Sequence, residues 1–223
     1  MGFHSVQSLL SQFNAGTLVM DHSYKNYDIL DERRKLKIKS AEFWHQLGWN
    51  ARRTFLHFEG QYFLPTVESL ILINDLIGAV PRDECLEIGA GNGWLGWLLG
   101  IKMTDSYLQE DPATKFMYAF AQQPIIKYGL DVERMEAVEA VKKYRPHTVI
   151  GSWISEKQPD GNPFVVDELE MMKYCKRYIF IGTETQHDYK TLIRTGLGRK
   201  YKAPGILSRA KDDSVNAIWV FEN

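Results

Sequence analysis

The stretch Cys85-Leu86-Glu87-Ile88-Gly89-Ala90-Gly91-Asn92-Gly93-Trp94-Leu95-Gly96 constrains this chain more than any other. A short apolar run carries one acid and breaks into a glycine-rich turn. Trp94, Leu95, Trp97, Leu98 and Leu99 then supply the apolar side of a helix. A strand, a tight loop and a helix N-terminus together suit a nucleotide-like ligand, because glycine accepts positive φ and lets the backbone approach closely. The spacing is wrong for a dinucleotide fingerprint. A G-x-G-x-x-G placed at Gly89 needs glycine at position 94, where Trp94 stands, and the literal match at Gly91, Gly93 and Gly96 begins two residues late. Glu87 is the informative residue. An acid in a strand expected to be buried is costly without a partner or a task, and a carboxylate there suits a ligand bearing an ammonium group rather than a pyrophosphate.

Glu87-Ile88-Gly89-Ala90-Gly91-Asn92-Gly93 resembles motif I, (D/E)-x-G-x-G-x-G, of the class I S-adenosylmethionine-dependent methyltransferases. The resemblance covers about residues 60–223 and is strongest over 85–105. It implies an α/β fold: a Rossmann-like class I methyltransferase sheet, mostly parallel, with an antiparallel C-terminal strand and a helical N-terminal extension. It implies S-adenosylmethionine as cofactor, with Glu87 at the amino-acid end and the turn Gly89, Ala90, Gly91, Asn92, Gly93 against the methionine and ribose parts. A helical extension or cap over 1–59 and a cofactor-binding domain over 60–223 are the expected organisation.

Composition bounds the alternatives. At 223 residues and 44% hydrophobic, the chain is long and apolar enough for one sizeable core. A net charge of −1 argues against a globally basic nucleic-acid binder. The charge is uneven, however. Between Lys25 and Arg53 there are eight basic and four acidic residues, net +4, which leaves −5 for the rest. Arg33, Arg34, Lys35, Lys37 and Lys39 cluster among aromatics there, one expected footprint of a nucleic acid or nucleotide partner; a solvated helix face is the plain alternative. Cys85 and Cys175 lack metal-ligand spacing and read as buried thiols, consistent with a reducing cytoplasm. No metal site, membrane span or signal peptide is expected, and the oligomeric state is open.

Taken in order, a short helix is expected over Val6–Phe13. Thr66 is positioned to cap the helix that ends at Gly78. Gly100–Asp105 reads as the second strand; an acid at its end, Asp105, can accept two ribose hydroxyls. Ser106–Tyr128 reads as irregular and aromatic, a lid or substrate loop. Val132–Met135 is a short third strand. It places Glu136 where many methyltransferases carry an acid that receives the adenine amino group; an ordinary first-turn glutamate is the alternative. Pro146–Ile154 and Tyr178–Gly182 are apolar runs that fit strands buried on both faces. The first of these ends in Ser152 and Trp153. The family's DNA amino-methyltransferases carry two prolines there, and this chain carries neither. Trp153 is expected to stack on a flat substrate or on adenine, or to pack in the core. Glu156–Pro163 reads as a loop. His187 is the best general-base candidate by residue type. The last strand is Val215–Phe221, after a hairpin-type turn at Lys211–Ser214.

The reading is therefore a methyltransferase acting on a nucleic acid or small molecule, with His187, Ser152 and Trp153 as candidate catalytic residues. Methyl transfer from a sulfonium needs alignment more than acid–base chemistry, so the lack of an obvious catalytic constellation does not count against it. The alternatives are a non-catalytic cofactor- or nucleic-acid-binding module of the same fold, or a nicotinamide-dependent oxidoreductase. Glu87, Trp94, the glycine offset and the missing Tyr-x-x-x-Lys pair disfavour the oxidoreductase.

Overall fold

The computed structural model describes residues 20–120, 123–154 and 166–223; the helix expected over Val6–Phe13 and the loop over Glu156–Pro163 lie outside the described residues. The first elements are α1 (Ala41–Leu47), α2 (Trp49–Phe58), β1 (Phe63–Leu64) and α3 (Val67–Ile77). The central ones are β2 (Cys85–Ile88), α4 (Trp94–Leu99), β3 (Lys102–Asp105), α5 (Pro112–Phe120), β4 (Glu133–Arg134), α6 (Ala137–Tyr144) and β5 (Thr148–Ser152). The last are α7 (Glu168–Met172), β6 (Arg177–Thr183), α8 (Thr191–Arg194), β7 (Arg199–Tyr201), β8 (Leu207–Ser208) and β9 (Asn216–Glu222).

Seven strands form one sheet in the order β4-β3-β2-β5-β6-β9-β7. The pairs from β4 to β6 are parallel, and β9 runs antiparallel to both its neighbours. The last strand of the chain is thus reversed and lies next to the edge, as the resemblance implied. Strand alternation sorts the side chains into two layers. Leu86, Ile88, Val149, Tyr178 and Phe180 pack against Ala137, Ala140 and Val141 of α6 and Met171 of α7. Cys85, Ile150, Ile179, Ile181 and Ile218 pack against Ile73 and Ile77 of α3 and Leu95 and Leu99 of α4. Glu87 shares the strand face of Cys85, so its side chain is directed at α4.

Thr66 does cap α3: it accepts from the Ser69 N–H at 3.1 Å, and the Ser69 hydroxyl accepts the Thr66 N–H in return at 2.8 Å. Two expectations are corrected. Ser106–Tyr128 contains the helix α5, which opens at Pro112 with Asp111 accepting the Ala113 and Thr114 N–H groups, both at 3.0 Å. Lys211–Ser214 is not the tip of a hairpin. β8 intervenes between the antiparallel partners β7 and β9 and pairs with β1 instead, so the connection detours across the molecule.

The segment before β1 is tied to the sheet through Trp94 and Arg52. Trp44 stacks on Phe55, and Phe55 on Trp94, with ring centroids 5.3 and 5.6 Å apart. The Trp94 indole N–H donates to the Arg34 carbonyl at 3.0 Å. Arg52, 2% exposed, forms two hydrogen bonds to Asp213 at 2.9 and 2.6 Å. Removing one partner of a buried pair strands the other charge. Asp213→Ala is therefore expected to cost about 2–3 kcal/mol in urea unfolding, and the isolated removal of the exposed Asp28–Lys37 pair far less, by the usual weakness of surface pairs. Equal costs would contradict the assignment. Among the described residues no helix is long and apolar enough to cross a membrane.

Candidate functional site

The glycine turn sits at the C-terminal edge of the sheet, where open α/β folds bind ligands. Gly89, Gly91 and Gly93 all take positive φ, at 60°, 58° and 75°. Their surroundings differ. A Cβ on Gly89 would lie 2.5 Å from Ile154 Cγ2, and one on Gly93 would lie 2.9 Å from both Met103 Sδ and Val132 Cγ2. Those two glycines are demanded by packing. A Cβ on Gly91 would meet nothing closer than 3.4 Å, the Gln61 amide nitrogen. Its open side faces a cavity of about 290 Å³.

Two carboxylates stand beside this turn. Glu87, 2% exposed, accepts the Gly96 N–H at 2.7 Å from the first turns of α4. That contact requires glycine at 96, since a Cβ there would lie 2.6 Å from the Glu87 Oε2. Burial pushes the Glu87 carboxyl up to about 8; the neighbouring Asp105 charge adds to this, while the Gly96 N–H and the Lys35 ammonium oppose it. Asp105 ends β3. Its Oδ2 accepts the Gly91 N–H at 2.9 Å and its Oδ1 the Tyr107 N–H at 2.8 Å, so each oxygen keeps a lone pair. Burial raises its pKa as well, against those two N–H bonds.

The cavity gathers most of the residues that sequence reading singled out. Glu87, Gly89, Ala90, Gly91, Asp105, Ser152, Trp153 and His187 all line it. Asn92, Gly93 and Glu136 do not. Asn92 turns inward and accepts the Trp94 N–H at 3.2 Å. Glu136 sits just before α6, where its side chain makes no capping bond, and burial and the Asp105 charge raise its pKa. Sequence reading missed Gly96 as the donor to Glu87; a glycine inside an otherwise apolar helix was the available signal. It also missed the aromatic wall. Tyr62 lies between the Arg209 guanidinium, 4.1 Å from its ring centre, and Trp153, stacked at 5.3 Å. Trp153 itself takes φ 55°, unusual for a bulky side chain, and is held there by its N–H bond to the Ile181 carbonyl at 2.9 Å.

The reversed strand next to the sheet edge and the acid–glycine turn on β2 are now both placed. The fold is class I methyltransferase-like. The chain matches no protein-family model and no curated protein. Among solved structures it is similar to precorrin 8w decarboxylase from Methanobacterium thermoautotrophicum, at 15% identity and TM-score 0.40, covering 72% of this chain and 92% of that one. It is also similar to M. capricolum TrmK in complex with S-adenosyl-homocysteine, at 12% identity and TM-score 0.39, covering 69% and 67%. A third is Sp1610 from Streptococcus pneumoniae in complex with S-adenosyl-L-methionine, at 12% identity and TM-score 0.36, covering 70% and 72%.

On this methyltransferase-like fold the basic cluster near the N-terminus is largely paired internally. Arg34 bonds Glu59 at 2.5 Å, Lys35 bonds Asp131 at 2.7 Å and Lys37 bonds Asp28 at 2.6 Å. Glu59 and Asp131 come from outside the cluster, and so does Asp213, which holds Arg52 at 2.6 Å. Arg33 and Lys39 form no ion pair among the described residues, and Lys39 lies 5.7 Å over the Phe43 ring. The positive charge visible in the sequence is therefore much reduced at the surface.

Proposed function

We propose that this chain is an S-adenosylmethionine-dependent methyltransferase. The observation that carries the reading is the pairing of Glu87 and Asp105 across one open glycine turn. Both acids are buried, both are oriented by backbone N–H groups, and both line the same cavity. A buried acid near neutrality in pKa and a second acid with free lone pairs fit a ligand that carries an ammonium group at one end and hydroxyls further along. The open side of Gly91 allows backbone approach to that ligand.

Within this reading Glu87 binds the ammonium, Asp105 accepts ribose hydroxyl protons, and Gly89, Ala90 and Gly91 supply the floor. Asn92 and Gly93 hold the turn in shape, and Glu136 stands beyond it near the adenine end. S-adenosylmethionine, when bound, supplies a methyl group already activated on sulfur. The protein's own task is to fix the two reactants in line and keep water out. Ser152, Trp153 and His187 then form the acceptor side, with the acceptor entering beside Tyr62. Arg33 and Lys39 are the cations of the cluster best placed to assist a nucleic-acid acceptor; the pairing of the others favours a small-molecule acceptor or a short contact.

Asp105→Asn tests the site. An amide presents only one accepting oxygen, so it cannot serve both N–H donors and the ligand hydroxyls. Affinity for S-adenosylhomocysteine is expected to fall at least about tenfold, ~1.4 kcal/mol, as read by equilibrium titration. Unchanged affinity would remove Asp105 from the site.

A further inference from the structure

His187 is the one histidine of the cavity wall among the described residues, and its chemistry is set by its neighbours. The ring is 5% exposed and is wedged edge-on between Trp153 and Phe180, at 5.0 and 5.1 Å. Its Nδ1 receives the Thr183 backbone N–H at 3.0 Å. An N–H can only donate, so Nδ1 is the lone-pair nitrogen and the ring proton resides on Nε2. Nδ1 also lies 3.2 Å from the Thr183 carbonyl, a contact that is not a hydrogen bond in this tautomer. Nε2 has no hydrogen-bond partner among the described residues. Ser152 shares the wall, and its hydroxyl makes no hydrogen bond among them either. Ser152 pairs in register with Ile181 on β6, two residues before Thr183, so both polar groups belong to the same end of the β5–β6 pair.

The rest of the wall narrows the ligand. Among the described residues, no lysine or arginine lines the cavity, whereas Glu87 and Asp105 both do. Arg209, a half-buried cation 4.1 Å from the Tyr62 ring centre, stands behind Tyr62. It is engaged there by the Gln61 and Leu56 carbonyls at 2.5 and 3.0 Å. An anionic group brought into this cavity would lose its hydration, meet no lining cation among the described residues and face two acids.

We propose that His187 is a fixed hydrogen-bond donor, not a base, and that the acceptor it orients is an uncharged nitrogen nucleophile with its lone pair free at neutral pH. Resting on the methyltransferase reading, this assigns the substrate class: a neutral heteroaromatic or amine nitrogen beside a group that accepts the Nε2–H, and not a carboxylate, a phosphate or a hydroxyl that must first be deprotonated. Burial, with the Lys190 charge adding, pulls the His187 pKa down to about 4, which agrees with a ring that stays neutral. The Thr183 carbonyl facing Nδ1 and the Asp188 charge act in the opposite direction without overcoming this.

The test uses the full chain and two readouts. Long-range nitrogen–proton spectra are expected to show His187 protonated at Nε2 only, with no titration between about pH 5.5 and 8. An Nδ1–H tautomer, or a titration inside that window, would overturn the donor assignment. The second readout is binding of benzimidazole and of its ring carboxylate in the presence of S-adenosylhomocysteine. Benzimidazole is expected to bind at least tenfold tighter than the carboxylate, to lose that affinity in His187→Ala and to recover it in part in His187→Gln, which keeps a donor. Equal binding of the two probes, or full affinity in His187→Ala, would overturn the substrate class. If S-adenosylhomocysteine itself does not bind the wild type, the methyltransferase reading fails separately, since the tautomer spectrum does not depend on it.

Discussion

Replacing Glu87 with Gln is expected to stabilise the ligand-free protein at neutral and alkaline pH and at the same time to cripple cofactor binding. The two effects have one cause. The Glu87 carboxyl is 2% exposed and its pKa is pushed from the ordinary 4.5 to about 8. An acid with a raised folded pKa holds its proton in the folded state while the unfolded chain has already lost it. Stability contributed by that proton is complete below about 4.5, falls as pH rises, and levels off above about 8. The slope is at most ~1.4 kcal/mol per pH unit. An amide does not ionise and still accepts the Gly96 N–H, so Glu87→Gln removes the loss. The variant is expected to exceed the wild type by roughly 2 kcal/mol near pH 8, once the amide's own burial is deducted. Its affinity for S-adenosylhomocysteine is expected to fall at least tenfold, because the ligand ammonium loses its counter-charge. The wild-type affinity should itself rise with pH and flatten near 8, with about one proton released on binding at neutral pH. Asp105 and Lys35 are the other charges acting on Glu87, and both remain in the variant. Stability profiles by denaturant titration at several pH values check the first effect, and calorimetry in buffers of different ionisation enthalpy checks the second. A variant less stable than the wild type at pH 8 would contradict the burial argument.

The second large effect is expected at Gly96. Alanine there would place Cβ 2.3 Å from Met103 Cγ and 2.6 Å from Glu87 Oε2. Met103 Cγ lies mid-way along a buried side chain, and the Glu87 carboxylate is itself buried and held by the Gly96 N–H, so α4 must shift from β2 and β3. Alanine is the better helix former by about 1 kcal/mol, which offsets part of an overpacking cost of about 1–3 kcal/mol. A net loss of about 1–2 kcal/mol is expected, or about 3–6 °C in Tm. Because the shift moves the Glu87 carboxylate and its N–H donor together, cofactor affinity should fall with stability. An unchanged or higher Tm would mean that Gly96 is not the close-packing point between α4 and the β2–β3 pair.

These two residues also show how far the sequence could be read. Glu87 was legible because its surroundings contradict it: an acid in a run of strand-forming apolar residues demands a reason. β2, β5 and β6 were legible for a related cause. Strands buried on both faces are short unbroken apolar runs, and the flanking turns mark their ends. Gly96 was not, because its importance lies in a side chain nine residues earlier that only the fold brings against it. The basic cluster misled in the same way. Lys35 finds Asp131 across 96 positions of sequence, which no local pattern announces. α5 was hidden for the opposite reason. None of its residues is buried, and Phe116 and Phe120 are 73% and 68% exposed, so the usual link between apolar spacing and a core face does not hold there. Its start was nevertheless written in Asp111-Pro112, a capping acid before a proline at the first helical position. For His187 residue type pointed to a base, whereas the donor role proposed above rests on the Thr183 backbone N–H at Nδ1, a contact that only the fold brings about.

One comparison tests directly whether the cavity takes a ligand with an ammonium group and a ribose, as proposed. Purified protein is titrated calorimetrically with S-adenosylhomocysteine and, in parallel, with NADH. Saturable one-site heat is expected for S-adenosylhomocysteine and only dilution heat for NADH. Saturable binding of NADH with none for S-adenosylhomocysteine would contradict it, because the two buried acids and the displaced glycine spacing would then serve a pyrophosphate that they should repel.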